Sequence, residues 1–488
     1  MKCRIYSAVL CIFFFLFAFH VAQAKILLNS LFGEHAVVQQ GIAVPVWGTA
    51  DKDEQVTVRF NGQEKQTHSK DGKWMLQLDP MTSGGPYAMT VSGSDTTLTI
   101  NDIYVGEVWI CSGQSNMKRT LAPKGKQLPI VNWEQERDAA NYPMIREYYV
   151  PDKSTDEPVE DVGSQWVVCS PKTVVNFSAV GYFFARDLFK ARNMPVGMIF
   201  SAVGGTPAEY WTSRSGLESA PELKALVENY DRSLMDFAKQ VARNKRENIS
   251  ENLRNPADRG HVYGHYNGMI APLQPYAVKG FIWYQGESNF RRAEQYYTLF
   301  PLMIRDWRKA WGQGDFPFLF VQIAPYRDRS PEIREAQFFT SKTVKNTAMA
   351  VITDHGDAND IHPTHKQPVG YRLSLAARAI AYHEKIEYSG PVYEFMEIKN
   401  DKAILYFSHC GKGLTSKDGP LKGFVIAGAD NNFLPAKAEI KGNTVIVRHP
   451  DIKEPTAVRY GFENVPDINL FNKDGLPASP FRTDYMNY

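Results

Sequence analysis

Between residues 103 and 383 the chain alternates short apolar runs with stretches of helical periodicity. The apolar runs cover 103–110, 195–200, 280–284, 316–323 and 347–352. The helical stretches cover 180–189, 294–311 and 367–383. Strand and helix in alternation predict a parallel sheet covered by helices. This excludes an all-β or all-helical middle. Parallel strands with helical crossovers carry their C-terminal ends along one edge, and ligands bind in the crevice there.

Four of these segments break from apolar into small and polar residues. The breaks are Gly113-Gln114-Ser115-Asn116, Gly204-Gly205-Thr206, Gln285-Gly286-Glu287-Ser288-Asn289 and the stretch 354–365. Ser115 reads as a nucleophile delivered to the rim of the sheet. A serine hydroxyl needs a neighbouring base, and the base needs an orienting partner. His362 is the best base, with Asp360 close by and Asp357 and Asp354 upstream. Oxyanion donors of suitable type are the Ser115 N–H, the Gly205 N–H and the Gln285 amide. Ser288 is a local echo of Ser115, and residue chemistry alone leaves both open. Glu287 reads as a brace for the loop that carries Gln285, or as a general acid. Gln114, Asn116 and Gly204 flank these groups as supporting residues.

The flanks have a different texture. Residues 25–101 contain short alternating runs separated by turn residues, which predict a small N-terminal β-sandwich. Residues 384–488 return to the same pattern and read as a second β domain. Residues 221–255 are long, charged and helical in period, and read as a solvated insertion within the central domain of 102–383.

Residues 1–24 read as a signal peptide. Lys2 and Arg4 precede an apolar stretch, and Ala22-Gln23-Ala24 fits a small-x-small cleavage site. The expectation is export to a periplasmic or extracellular space, with no transmembrane span after the signal is removed. Of 5 cysteines, Cys111, Cys169 and Cys410 lie beyond the signal, and their spacing forms no disulfide or zinc pattern. Cys111 reads as buried packing. A net charge of +2 without a basic stripe gives no support to a nucleic-acid partner.

The motifs Gly113-Gln114-Ser115-Asn116-Met117, Gly204-Gly205-Thr206-Pro207, Trp283-Tyr284-Gln285-Gly286-Glu287-Ser288-Asn289 and Asp360-Ile361-His362-Pro363 occur in this order. Together the sequence resembles the sialate O-acetylesterase family of SGNH-type serine esterases. The stretch from Leu31-Phe32 through Val46-Trp47-Gly48 resembles that family's N-terminal β domain. The resemblance implies a three-layer α/β/α domain that removes acetyl groups from sugar hydroxyls without metal or cofactor. It implies Ser115 as nucleophile, His362 as base, and Gly205 and Gln285 in the oxyanion hole. One position departs from the wider SGNH pattern. Asn359 stands three residues before the histidine, where an aspartate is expected, and Asp360 stands two before it. Asp360 is expected to orient His362, so Asp360→Asn should lower turnover strongly. Asp357 and a backbone carbonyl are the alternatives.

Two rival classes stay in view. Asp354, His355, Asp357, Asp360, His362 and His365 are dense enough in hard and imidazole ligands for a metal-dependent hydrolase or phosphoesterase. The flanking β domains permit a carbohydrate-binding protein with an inactive core. His261 and His265 have a helical metal spacing, but their neighbours favour a surface or substrate loop. An acidic sugar such as sialic acid would call on Arg119, Arg291, Arg292 or Arg327. Acetylated xylan, xyloglucan or pectin would call on Tyr210, Trp211 and Tyr326.

Overall fold

A computed structural model describes residues 26–484. The signal segment expected at 1–24 lies outside the described residues. The central sheet comprises β1 (Thr97–Gly113), β2 (Tyr142–Tyr149), β3 (Trp166–Cys169), β4 (Val196–Ala202), β5 (Gly280–Tyr284), β6 (Phe318–Val321) and β7 (Thr347–Ala350). Their spatial order is β3-β2-β4-β1-β5-β6-β7. Pairing is parallel throughout except at the β3 edge, which runs antiparallel to β2. The α/β fold with a parallel sheet is therefore present, with one antiparallel edge strand added. The chain order reverses around β1, so the crevice at the end of β1 lies at the switch point of the sheet.

Successive side chains of β1 point to opposite faces. Trp109 and Cys111 enter one core, packed with α2 (Ala179–Arg192) and α6 (Gln367–Ile380). Val108 and Ile110 enter the other, packed with α4 (Ala293–Trp311) and α5 (Pro331–Thr343). All four are fully buried. A strand covered on both faces has no polar positions to offer, which is why this run is apolar without alternation. Each fully buried large apolar side chain contributes about 1.5–3 kcal/mol, so these strands anchor the domain. The segment expected as an insertion at 221–255 contains α3 (Pro221–Glu247), which buries Leu223, Val227 and Tyr230. All three lie in its first half, and the second half is solvated, with Met235 and Val241 exposed on it.

The N-terminal unit is built on the same strand. Met89, Thr90 and Val91 of a strand at Gly84–Ser92 pair with Ile100, Thr99 and Leu98 of β1. Met198, Ile199 and Phe200 of β4 pair with Trp109, Ile110 and Cys111 of the same strand. The boundary expected at 101/102 thus falls inside one continuous strand of 17 residues. Asp102 adopts a φ of 55° there, and its carboxylate receives Arg146 Nη2 at 2.8 Å. The N-terminal core and one face of the central sheet form a single apolar cluster.

The C-terminal unit has its own core beneath two four-stranded sheets. It docks on α5. Arg482 forms a two-pronged pair with Glu335 at 2.7 and 2.9 Å, and Gln322 Nε2 donates to Ser479 Oγ at 2.9 Å.

Candidate active site

The end of β1 is shaped by a close backbone approach. Gly113 has a φ of 138°, and a Cβ there would lie 2.2 Å from the Tyr284 carbonyl oxygen of β5. No side chain fits. The chain then turns, with the Gln114 N–H donating to the same Tyr284 carbonyl at 2.9 Å. A single turn of helix, α1 (Ser115–Lys118), follows and lifts Ser115 to the rim. The end of β4 is tied alongside by the Val203 N–H on the Gly113 carbonyl at 3.2 Å.

His362 arrives from the loop after β7. Its Nε2 lies 2.9 Å from Ser115 Oγ, the separation a base needs to take the hydroxyl proton. Asp360 is close but does not grip the ring. Its Oδ1 accepts the His362 backbone N–H at 2.8 Å and stands 3.7 Å from Nδ1. Asp357 shapes the loop instead, accepting the N–H groups of Asn359 at 2.7 Å and Asp360 at 3.3 Å. Arg119 holds the loop from the other side, donating to the carbonyls of His362 and Leu128. Burial, aided by the charge of Lys366, holds the His362 imidazole below its ordinary 6.5. The neutral, proton-accepting form is therefore present at neutral pH.

Two backbone donors are available at this rim. Among the described residues, the N–H groups of Ser115 and Gly205 have no acceptor within the protein. Gly204 sits against Ser115, so that a Cβ on it would lie 3.5 Å from Ser115 Cβ. Gly205 has a φ of 74°, a conformation that glycine adopts without strain. Gln285 is placed differently from the expectation. It is fully buried, and its amide donates to Thr206 O at 3.2 Å and Asn289 Oδ1 at 2.6 Å while Tyr296 OH donates to its Oε1 at 2.9 Å. Both amide hydrogens are committed inside the protein. Gln285 braces the loop that presents Gly205 and has no hydrogen left for an oxyanion.

The remaining supporting residues knit the loops together. Gln114 Oε1 accepts the Ser288 N–H at 3.2 Å, tying the 285–289 loop to the turn that carries Ser115. Asn116 Nδ2 donates to Glu287 Oε1 at 2.6 Å and to the Ile361 carbonyl at 2.9 Å. Burial raises the pKa of Glu287, so its role here is that of a buried acceptor. Lys366, absent from the sequence reading, donates to Asn116 Oδ1 at 2.5 Å from a fully buried position.

Several expectations are corrected by burial. Trp211 is fully buried and donates to Thr206 Oγ1 at 2.9 Å, so it is core and not a sugar platform. Arg119 spends its guanidinium on loop carbonyls. Arg292 is engaged by Glu209 and Gln295. Arg291 and Arg327 are exposed, and Tyr210 and Tyr326 are half-buried. His261 and His265 clamp one loop on another: Ser154 Oγ lies 3.1 Å from His261 Nδ1, and His265 Nδ1 lies 3.1 Å from the Lys153 carbonyl. Asp354 is committed to Arg372 at 2.6 and 2.7 Å, and His355 stacks on His365. Among the described residues these groups do not converge in threes. Cys111, Cys169 and Cys410 are buried free thiols.

The sequence model of the family described as "carbohydrate esterase, sialic acid-specific acetylesterase" matches residues 105–380, the whole segment that carries these four loops. The chain belongs to that family. The family's sialate O-acetylesterase of Mus musculus is 33% identical over 422 residues, covering 75% of each chain. The sialate O-acetylesterase of Homo sapiens is 32% identical over 408 residues, covering 75% of this chain and 72% of the human one. A solved carbohydrate acetylesterase from Xanthomonas citri is 36% identical, with a TM-score of 0.83 over 95% of this chain and 100% of its own. Carbohydrate acetylesterase function follows from this membership, and the SGNH-type fold agrees with it.

Proposed function

We propose that this member of the family is an exported serine esterase acting on O-acetylated sugars, with Ser115 as nucleophile. Ser115 Oγ attacks the acetyl carbonyl carbon while His362 Nε2 takes the hydroxyl proton. The carbonyl oxygen becomes an oxyanion held by the N–H groups of Ser115 and Gly205. One such donor is worth about 3 kcal/mol in the transition state. The bond from the acetyl carbon to the sugar oxygen then breaks, and His362 returns its proton to that oxygen. Water, deprotonated by His362, attacks the acetyl-enzyme, and acetate leaves as Ser115 recovers its proton.

The observation that carries this reading is the 2.9 Å contact between Ser115 Oγ and His362 Nε2. Relatives named sialate O-acetylesterase support an acetylated acidic sugar as substrate. The basic, apolar and small-residue pattern of 1–24 supports export. Acetate release from acetylated sialosides and acetylated plant polysaccharides tests both substrate and nucleophile. Ser115→Ala should abolish release, and Ser288→Ala should retain it. Survival of activity in Ser115→Ala removes Ser115 from the mechanism.

A further inference from the structure

Lys366 is a fully buried lysine whose ammonium, among the described residues, forms no ion pair. It donates to Asn116 Oδ1 at 2.5 Å and lies over the Tyr284 ring, 5.2 Å from its centroid. A buried ammonium without a carboxylate against it is costly. Packing does not explain it, because a methionine of similar length would fill the same space without that cost. What distinguishes the site is what Asn116 does next. Its Nδ2 donates to the Ile361 carbonyl and to Glu287 Oε1. Asn116 follows the nucleophile directly, and Ile361 directly precedes the base. A single amide therefore ties the main chain beside Ser115 to the main chain beside His362, and Lys366 fixes the orientation of that amide.

We infer that Lys366 is the positioning residue of the Ser115–His362 pair, holding through Asn116 the backbone on both sides of the 2.9 Å contact. This rests on the reading of Ser115 as nucleophile and deepens it. Lys366 also acts through its charge. Burial pushes it down to about 7, with Arg119 pushing the same way and Glu287 and Asp360 opposing. In the range where His362 titrates, Lys366 is thus a cation, and it disfavours a second positive charge on the imidazole. The charged groups that face His362 are Lys366, Asp360 and Arg119.

The test pairs Lys366→Met with Glu287→Gln. Glu287→Gln keeps an acceptor for Asn116 and removes a carboxylate whose charge raises the Lys366 pKa without pairing with it. Folding is followed by circular dichroism, and the His362 imidazole is titrated by NMR without turnover. Lys366→Met should lower kcat by about a hundredfold with little change in KM, the cost of a displaced catalytic pair. Its imidazole should titrate at higher pH than in the wild type, and the acid limb of kcat/KM should move with it. Glu287→Gln should move the titration in the same direction. A folded Lys366→Met protein with wild-type kcat and wild-type titration overturns the inference. If Lys366→Met does not fold, a wild-type titration in Glu287→Gln overturns it. Retained acetate release in Ser115→Ala would instead defeat the reading of the nucleophile, and the imidazole titration keeps the two failures apart.

Discussion

Asp360 meets His362 at the main chain: one carboxylate oxygen accepts the histidine N–H at 2.8 Å and stands 3.7 Å from Nδ1 of the ring. The second distance lies beyond a hydrogen bond. The imidazole is held by its loop, through Asp360 on its N–H and Arg119 on its carbonyl. This geometry supports reading Ser115 and His362 as a dyad with an aspartate nearby over a fully bonded triad.

Asp360→Asn keeps an oxygen acceptor for the His362 N–H and removes the charge. Turnover should fall about tenfold, far less than the roughly 10⁴-fold loss when the aspartate of a bonded triad is replaced. This softens the strong loss expected from sequence alone. Asp360 also pulls the His362 pKa upward, so its removal should shift the acid limb to lower pH. Acetate release measured across pH in the variant checks both effects.

The pH profile of the native protein follows from His362. The base must be neutral to accept the Ser115 proton, and burial with Lys366 keeps its pKa below 6.5. Activity should therefore rise with pH along a limb centred below 6.5 and stay level through neutrality. The measurement is kcat/KM from pH 4 to 8, roughly spanning the histidine range. A limb centred above 7 would contradict the assignment.

Gly205→Ala separates conformation from space. A Cβ at Gly205 meets nothing within 4 Å, yet its φ is 74°. Alanine there is strained by about 1–2 kcal/mol, and relief of the strain turns the N–H away from the oxyanion. The expected result is a kcat loss of about 10²-fold, the cost of one oxyanion donor, with a small drop in Tm. Kinetics and thermal melting on one preparation distinguish this from general unfolding.

Glu335→Ala tests the docking of the C-terminal unit. Glu335 is 3% exposed and receives both prongs of Arg482. Arg482 is partly exposed and lies near Asp484, so losing its partner should cost about 1–3 kcal/mol, less than for a fully buried pair. Tm should fall clearly while kcat of the still-folded enzyme stays near the native value. Calorimetry alongside the acetate assay reads both.

The parts of the site legible in the sequence are those where an apolar strand ends in polar residues. Ser115, Gly205 and the 285–289 loop sit at such breaks, because a sheet edge is the one place where a buried strand must meet water. His362 was recognisable from its loop. What stayed hidden is polar chemistry turned inward. Lys366 reads as a surface residue by type, and only tertiary contacts reveal its burial. β2 was missed because Arg146 and Glu147 interrupt its apolar pattern, although both are buried. α5 was missed for the same reason, as Arg334, Glu335 and Gln337 line its buried face. The strand Gln63–His68 carries only polar and charged residues on a half-exposed sheet. Gln285 shows the converse limit: the right residue type stood at the right loop, but its hydrogens were already spent on Thr206 and Asn289.

The strand that leads to Ser115 begins in another unit, and this sets an order of assembly. During synthesis the N-terminal segments leave the ribosome first. The ledge for Ser115 is built in two stages: its N-terminal pairings use segments made before it, and its far end waits for β4 and β5, with His362 following 247 residues after Ser115. A chain begun at residue 102 would keep every group of the site and lose the first stage of the ledge. The N-terminal unit is thus a foundation for the chemistry, and damage to it would register as lost turnover at a site it never touches.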